Sequence, residues 1–435
     1  MKTNIKKPAK TFKGDITSQN LFNFDSMENY TSPYSKLSSI DEISVMNYYN
    51  SLNEDESHIH TTDDICTPME CVKTMIDYIP NIFWSNKKVK ILDPCAGNGN
   101  FGAYAQLKTK ESNIWHNELN YKRYMNCKTI LNPKNITNQD ALKLEKVEGK
   151  GWDLIMANPP YSGGGNKNQS LSKIFIEKAI DLLNTNGYLC FITPNNWMTY
   201  NNNNTTLNRL LNEGSFLIID NNAKRFFRGI GSSFTIFVWQ KDVMNNKTRV
   251  INNYILKDEI TDIEIPRTLK FIPLYISQPI ISIIDKCIQD ERNIFDYRCD
   301  LHNYTQKSKL SDKKDDIYKY ETIHTARKTR YATTKQDIFD KYTIIIPLST
   351  YFKPYIRSKV NVTQSVGYIS FDTLKEAKDY LKVITQLHFK LIIHLTRYGN
   401  FNNIKVLRHL AFDKNISFTI EEQKEINKLA ELMKY

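Results

Sequence analysis

Residues 89–101 read VKILDPCAGNGNF, and residues 152–161 read WDLIMANPPY. The first stretch is a short apolar run closing at Asp93, a turn of small residues and the start of a helix near Phe101. Glycines there let the backbone bend tightly and approach a ligand closely, although the turn does not match GxGxxG. The second stretch is a buried-strand pattern that ends in two consecutive prolines, which neither a strand nor a helix continues. They hold the following loop rigid at the strand's C-terminal end, where open α/β sheets bind their ligands.

Outward from these two stretches, β and α signals alternate. CTPMECVKTMIDYI places Val72, Met75, Ile76 and Ile79 at helical spacing, with Pro68 near the first turn. IWHNE (114–118), NITNQD (135–140), NGYLCFITP, SFLIID (215–220) and SSFTIFVWQ (232–240) read as further strands. LSKIFIEKAIDLLN (171–184) reads as a helix with Ile174, Phe175, Ala179, Leu182 and Leu183 on one face. Such alternation predicts a doubly wound, mostly parallel α/β sheet covered by helices on both faces.

Asn158 and Pro159 suggest a specific chemistry. An exocyclic amine conjugated to a ring is a poor nucleophile because its lone pair is delocalised. An amide oxygen (Asn158) and a backbone carbonyl (Pro159) can both accept its N–H bonds, drawing the nitrogen towards tetrahedral geometry and freeing the lone pair for attack. Tyr161 offers a π-face on which a planar substrate can stack. Glu118, at the end of the second strand, stands where doubly wound folds place an acid for ribose hydroxyls. Asp140 closes the third strand; it reads either as an adenine contact or as a helix N-cap.

The order of these motifs resembles the γ-class DNA amino-methyltransferases of TaqI type. It runs TP (Thr67-Pro68), DPCAGNG, NE (Glu118), QD (Asp140), NPPY, FIEKAIDLL, GYLCFITPNNWM and RFFRGIGSSFTIFVW. The resemblance implies a seven-stranded methyltransferase sheet with an antiparallel last strand, S-adenosylmethionine as cofactor and N6 of adenine as the methylated atom. Carried over by position, Thr67 holds the cofactor's methionine carboxylate, and Asp93, Ala96 and Gly97 line its methionine end. Glu118 with Leu119 meets the ribose, Asp140 the adenine N6, Phe175 packs on the adenine ring, and Pro160 belongs to the cofactor wall. Asn158 and Pro159 accept the target amine's hydrogens, and Tyr161 stacks on the flipped base. Phe227 is the second aromatic against that base, with the adjacent Phe226 as the alternative. No metal is required.

NPPY also serves enzymes that methylate guanine or adenine in ribosomal RNA, or a glutamine amide in a protein. The rest of the chain separates these readings. Of 435 residues, 59 are Lys or Arg and 47 Asp or Glu, a net charge of +12. Residues 301–360 hold 13 of the basic residues against 6 acidic ones, interleaved with tyrosines. Basic residues with aromatics suit phosphate and base contacts. Arg327, Lys328, Arg330 and Arg397 are the candidate DNA contacts, and each reads equally as a surface ion-pair partner.

Three regions are expected: a loose basic and polar arm (1–55) with room for one short helix, a catalytic domain (56–244) and an α+β target-recognition domain (245–435). Hydrophobic residues make up 40% of the chain, which excludes a wholly disordered protein. With no apolar run of membrane-spanning length and seven scattered cysteines, the chain is expected in a reducing cytoplasm. Double-stranded DNA is the expected partner. A cognate restriction endonuclease acting on the same site is the expected companion of a stand-alone modification enzyme.

Overall fold

The computed structural model describes residues 41–54, 66–161, 171–200, 204–227, 233–245, 247–301 and 307–434. Nine strands form the central sheet: β1 (Ile91–Asp93), β2 (Ile114–Asn117), β3 (Asn135–Thr137), β4 (Trp152–Ala157), β5 (Leu183–Pro194), β6 (Gly214–Asp220), β7 (Phe234–Lys241), β8 (Thr248–Ile251) and β9 (Ile260–Ile263). Their spatial order is β3-β2-β1-β4-β5-β7-β6-β8-β9. β3 to β5 run parallel, and β7 inserts antiparallel between β5 and β6. The sheet's first seven strands form the doubly wound methyltransferase sheet expected from the sequence, to which two more are added, and the order reverses direction between β1 and β4.

Both faces are covered, which explains the near-continuous apolar runs. In β4, Leu154 and Met156 point into one core while Ile155 and Ala157 point into the other. The first core is closed by α1 (Glu42–Glu54), α2 (Met69–Asp77), α3 (Asn81–Ser85), α4 (Asn100–Ala105) and α5 (Tyr121–Leu131). The second is closed by α6 (Leu171–Leu182) and α7 (Thr205–Asn212). In α6 the buried face is Phe175, Ile176, Ala179 and Ile180, whereas Ile174 is exposed and Leu183 already begins β5.

Two boundaries differ from the sequence reading. Residues 42–54 supply the short helix of the expected arm, α1, but it is docked rather than loose: its Val45 and Tyr49 are fully buried in the first core. An i, i+4 pair of apolar residues suffices when α2 and α4 already offer a groove. β8 and β9 extend the catalytic sheet beyond residue 244: β8 pairs parallel with β6, and β9 antiparallel with β8.

The C-terminal region is α+β. One four-stranded sheet contains β10 (Asp296–Tyr297), β14 (Tyr342–Pro347), β15 (Tyr355–Ser358) and β17 (Val366–Phe371). A second contains β11 (Leu310–Ser311), β12 (Tyr320–Thr325), β13 (Lys328–Ala332) and β16 (Asn361–Val362). Helices α8 (Gln278–Cys287), α9 (Leu374–Ile384), α10 (Leu387–Leu395), α11 (Ile404–His409) and α12 (Ile420–Met433) accompany them.

Residues 271–277 are the seam between the two halves. The Ile272 N–H donates to Met198 O (3.0 Å) and the Leu274 N–H to Leu395 O (2.8 Å). Asn221 donates to Leu274 O (2.7 Å), Asn253 exchanges two bonds with the backbone of Ile276, and the buried Tyr398 hydroxyl donates to Ile272 O (2.6 Å).

All seven cysteines are free; four are buried, as small core hydrophobes are, and Cys299 is exposed. Among the described residues no helix is long and apolar enough to cross a membrane.

Candidate functional site

β1 and β4 are parallel neighbours in register Leu92↔Ile155, so the turn after Asp93 and the loop after Ala157 leave the same edge at the point where strand order reverses. The turn is built on left-handed glycines. Among the described residues nothing lies within 4 Å of where a side chain on Gly97 (φ 56°) would stand, while a Cβ on Gly99 (φ 91°) would meet Leu131 at 3.0 Å. The backbone of Ala96 donates to Asn117 O (2.9 Å), and the Asn117 amide donates to Pro94 O (3.1 Å) and Gln139 O (3.0 Å). Asn117, which the sequence reading did not single out, therefore knits together the segments that follow β1, β2 and β3.

Asp93 is fully buried. One of its oxygens accepts the Cys95 N–H (3.2 Å); the other has no partner among the described residues. Burial, reinforced by the Glu118 charge and opposed by the Cys95 N–H, pushes its pKa up to about 8. Glu118 is nearly buried and accepts the N–H groups of Gly97 and Asn120, each at 2.9 Å. Leu119 beside it is exposed. Asp140 accepts the Leu142 N–H (3.0 Å) as the cap of a short 3-10 turn, realising its structural reading, and Phe175 is buried in the same core as Ala141 and Leu92.

The loop after β4 is tied to this turn through Thr67. Asn100 donates to the Thr67 carbonyl (2.8 Å), and Asn158 Nδ2 donates to Thr67 Oγ1 (3.0 Å). The Tyr161 hydroxyl donates to Asn158 Oδ1, so both ends of the amide are fixed. Pro159 is buried and Pro160 exposed. Burial raises the Tyr161 hydroxyl above its ordinary pKa, so it remains a protonated donor. The Tyr161 ring packs on Phe234 (5.3 Å), which in turn packs on Phe227 (5.3 Å). Phe227 rather than Phe226 joins this row; Phe226 lies under the Arg225 guanidinium at 4.2 Å. That guanidinium grips the buried Asp220 at the end of β6 with two bonds (2.8 and 2.6 Å), holding the turn that presents Phe227.

The four expected DNA contacts separate into two pairs. Lys328 (2.9 Å) and Arg330 (2.8 Å) are ion-paired with Asp312. Arg327 and Arg397 instead line a cleft between the two halves of the chain. No group of His, Cys, Asp and Glu among the described residues has the arrangement of a metal site.

Residues 39–227 match the Eco57I restriction-modification methylase family. The match spans both loops and the buried partners that hold them. Over 282 residues the chain is 27% identical to the type II methyltransferase M.HincII of Haemophilus influenzae, covering 59% of this chain and 53% of that protein. It is 29% identical over 219 residues to M.HindII of the same species, covering 46% and 40%. The chain spans about half the length of the curated relatives it matches. Among solved structures, an ATP-dependent Type ISP restriction-modification enzyme, LlaBIII, bound to DNA has a like fold. Its TM-score is 0.50 at 13% identity, over 85% of this chain and 39% of that one.

Family and fold imply S-adenosylmethionine as the cofactor. The residues present fit it: a buried carboxylate oxygen awaiting a partner at Asp93, space over Gly97 clear of the described residues, and Glu118 closing the neighbouring wall.

Proposed function

We propose that this chain is a site-specific DNA methyltransferase of the γ-class motif order, acting on N6 of an adenine turned out of duplex DNA. The observation that carries the reading is Asn158: its side chain is fixed by Thr67 and Tyr161 at the sheet edge beside the Asp93 turn. When bound, S-adenosylmethionine supplies a methyl group made electrophilic by its sulfonium. Asp93, Ala96, Gly97 and Glu118 hold its methionine and ribose portions, Leu119, Pro160 and Phe175 line its walls, and Thr67 and Asp140 contact its two ends.

An amide oxygen has two lone pairs. Asn158 Oδ1 spends one on the Tyr161 hydroxyl, and the other accepts an N–H of the target amine. The Pro159 carbonyl accepts the second. These two bonds pull the nitrogen out of conjugation, and its excess proton leaves after attack, so no strong base is required. Tyr161 stacks on the flipped base, with Phe227 as the second aromatic at the far end of the row that runs through Phe234, and the stacking offsets the few kcal/mol that unstacking costs. A restriction endonuclease that reads the same sequence is the proposed companion, in keeping with the restriction-modification family.

The test is transfer of labelled methyl from S-adenosylmethionine to unmethylated duplex DNA, followed by nucleoside analysis. N6-methyladenine supports the reading. N4-methylcytosine would keep the DNA substrate and reject the base, and label entering ribosomal RNA or a glutamine amide would reject DNA.

A further inference from the structure

Between the catalytic sheet and the C-terminal region lies a cleft of about 700 Å³. Lys224 and Ser233 line its catalytic wall; Arg327, Lys353 and Arg397, with Tyr351, line the other. No Asp or Glu among the described residues lines it. Among the described residues, none of its four cations has a carboxylate within ion-pair distance. Several nearby cations differ. Lys328, Arg330, Lys335, Lys341 and Arg357 of the basic window, and Arg298 just before it, each have an acidic partner. What sets the cleft apart is that, among the described residues, it gathers four cations without such a partner in one concavity that no acidic residue lines. A concave surface of one sign focuses the field and concentrates the opposite charge.

Arg397 is already held in place. Its guanidinium donates to the carbonyls of Ser349 (3.2 Å) and Asn400 (2.6 Å) and lies 5.0 Å from the centre of the Tyr351 ring, which stacks on His394. Two of its five N–H donors serve that placement, so most remain for a ligand. Burial, and then the Arg397 charge, lower the His394 pKa to about 4, so it is a neutral spacer. The cleft also begins beside the chemistry. Ser233 adjoins Phe234, the ring between Tyr161 and Phe227, and Lys224 belongs to the 3-10 turn that presents Phe227.

We propose that Lys224, Arg327, Lys353 and Arg397 grip the sugar–phosphate backbone of the DNA strand that presents its base to Asn158. Lys328 and Arg330 take no part, being committed to Asp312. This rests on DNA being the substrate. A phosphate grip carries no sequence information, so it acts alike on duplexes with and without the target site.

The experiment is fluorescence-anisotropy binding of a short labelled duplex across ~50 to ~200 mM salt. It compares wild type, Arg327→Gln/Lys353→Gln/Arg397→Gln and Lys328→Gln. The triple variant should flatten the slope of log K against log salt by about 2.7, or about 0.9 for each lost phosphate contact. Cofactor affinity and Tm should be unchanged, and Lys328→Gln should keep the wild-type slope. If losing the Arg397 bonds lowers Tm, the double variant Arg327→Gln/Lys353→Gln, at two exposed positions, should still flatten the slope by about 1.8. A folded variant with the wild-type slope overturns the cleft assignment and leaves the DNA reading standing. Wild-type protein that binds S-adenosylmethionine but no duplex overturns the DNA reading itself, and the cleft's role with it.

Discussion

The turn after β1 and the loop after β4 leave neighbouring strands at one edge, yet they dispose their polar groups in opposite ways. In the turn, a buried oxygen of Asp93 has no partner among the described residues, while Asn117 ties the surrounding backbone to its neighbours. In the loop, both ends of the Asn158 amide have partners within the chain. A buried acceptor left unmade costs about 1–3 kcal/mol, which a bound donor recovers. The turn is therefore incomplete until its ligand arrives. The loop is complete beforehand and works through the second lone pair of an oxygen already aimed. Ligand affinity should depend on the first, and turnover on the second.

Substitution at Asn158 should separate the two roles most sharply. Asn158→Ala is expected to lower methyl transfer by about 10²–10³-fold, the scale seen when a group that stabilises a developing charge is removed. Cofactor affinity, read by calorimetry, should change little; an equal loss in both would show that the loop and the turn are not distinct.

Asp93→Asn should do the converse, weakening cofactor binding by roughly ten- to a hundredfold through loss of a charged hydrogen bond of about 1.5–3 kcal/mol. Its pH behaviour gives a second readout. The folded-state pKa, about 8, lies above the ordinary 3.8, so the folded protein holds the proton more tightly than the unfolded chain does. The Asp93 contribution to stability is therefore greatest at low pH and is lost as pH rises from about 4 through about 8. Thermal melts of wild type minus Asp93→Asn, without cofactor, should fall across that window and then level. A flat difference would mean that Asp93 is not buried as a lone acid.

Tyr161→Phe should have the smallest effect. It keeps the ring against Phe234 but removes the hydroxyl that aims Asn158. A several-fold fall in kcat with KM nearly unchanged is expected. A rise in KM instead would show that the hydroxyl contacts the substrate rather than the amide.

The catalytic half was legible because its information is local. ILD, WDLIMA and FTIFVWQ are short apolar runs stopped by small residues or proline, and a run buried on both faces needs no partner to be recognised. β8 and β9 escaped notice because TRVI and ITDI are short and partly exposed, and they are strands only because β6 offers an edge. The docking of α1 onto the catalytic core was hidden for a related reason, since most of its residues are polar or exposed. Within the site, the backbone of the Asp93 turn could be read from its glycines. Asn100, Asn117 and Phe234 could not, because what marks them is the carbonyl or ring they meet in space. The four basic candidates show the limit most plainly. Asp312 reaches Lys328 and Arg330 only because β11 pairs with β13 in register Ser311↔Tyr331, whereas Lys224 and Lys353 share a cleft across 129 residues of sequence.

The seam at 271–277 governs how the C-terminal region could be exchanged for another. A graft joined at residue 245 would remove β8 from β6 and leave an open strand edge, the usual starting point of aggregation. A graft joined after residue 277 would keep the whole sheet. It would also inherit Leu274 and Ile272 in search of the backbone and hydroxyl partners that Leu395 and Tyr398 now provide. A donor region carrying equivalents of those two residues could change the sequence that is read without disturbing the sheet. One lacking them would be tethered to the enzyme but not docked on it.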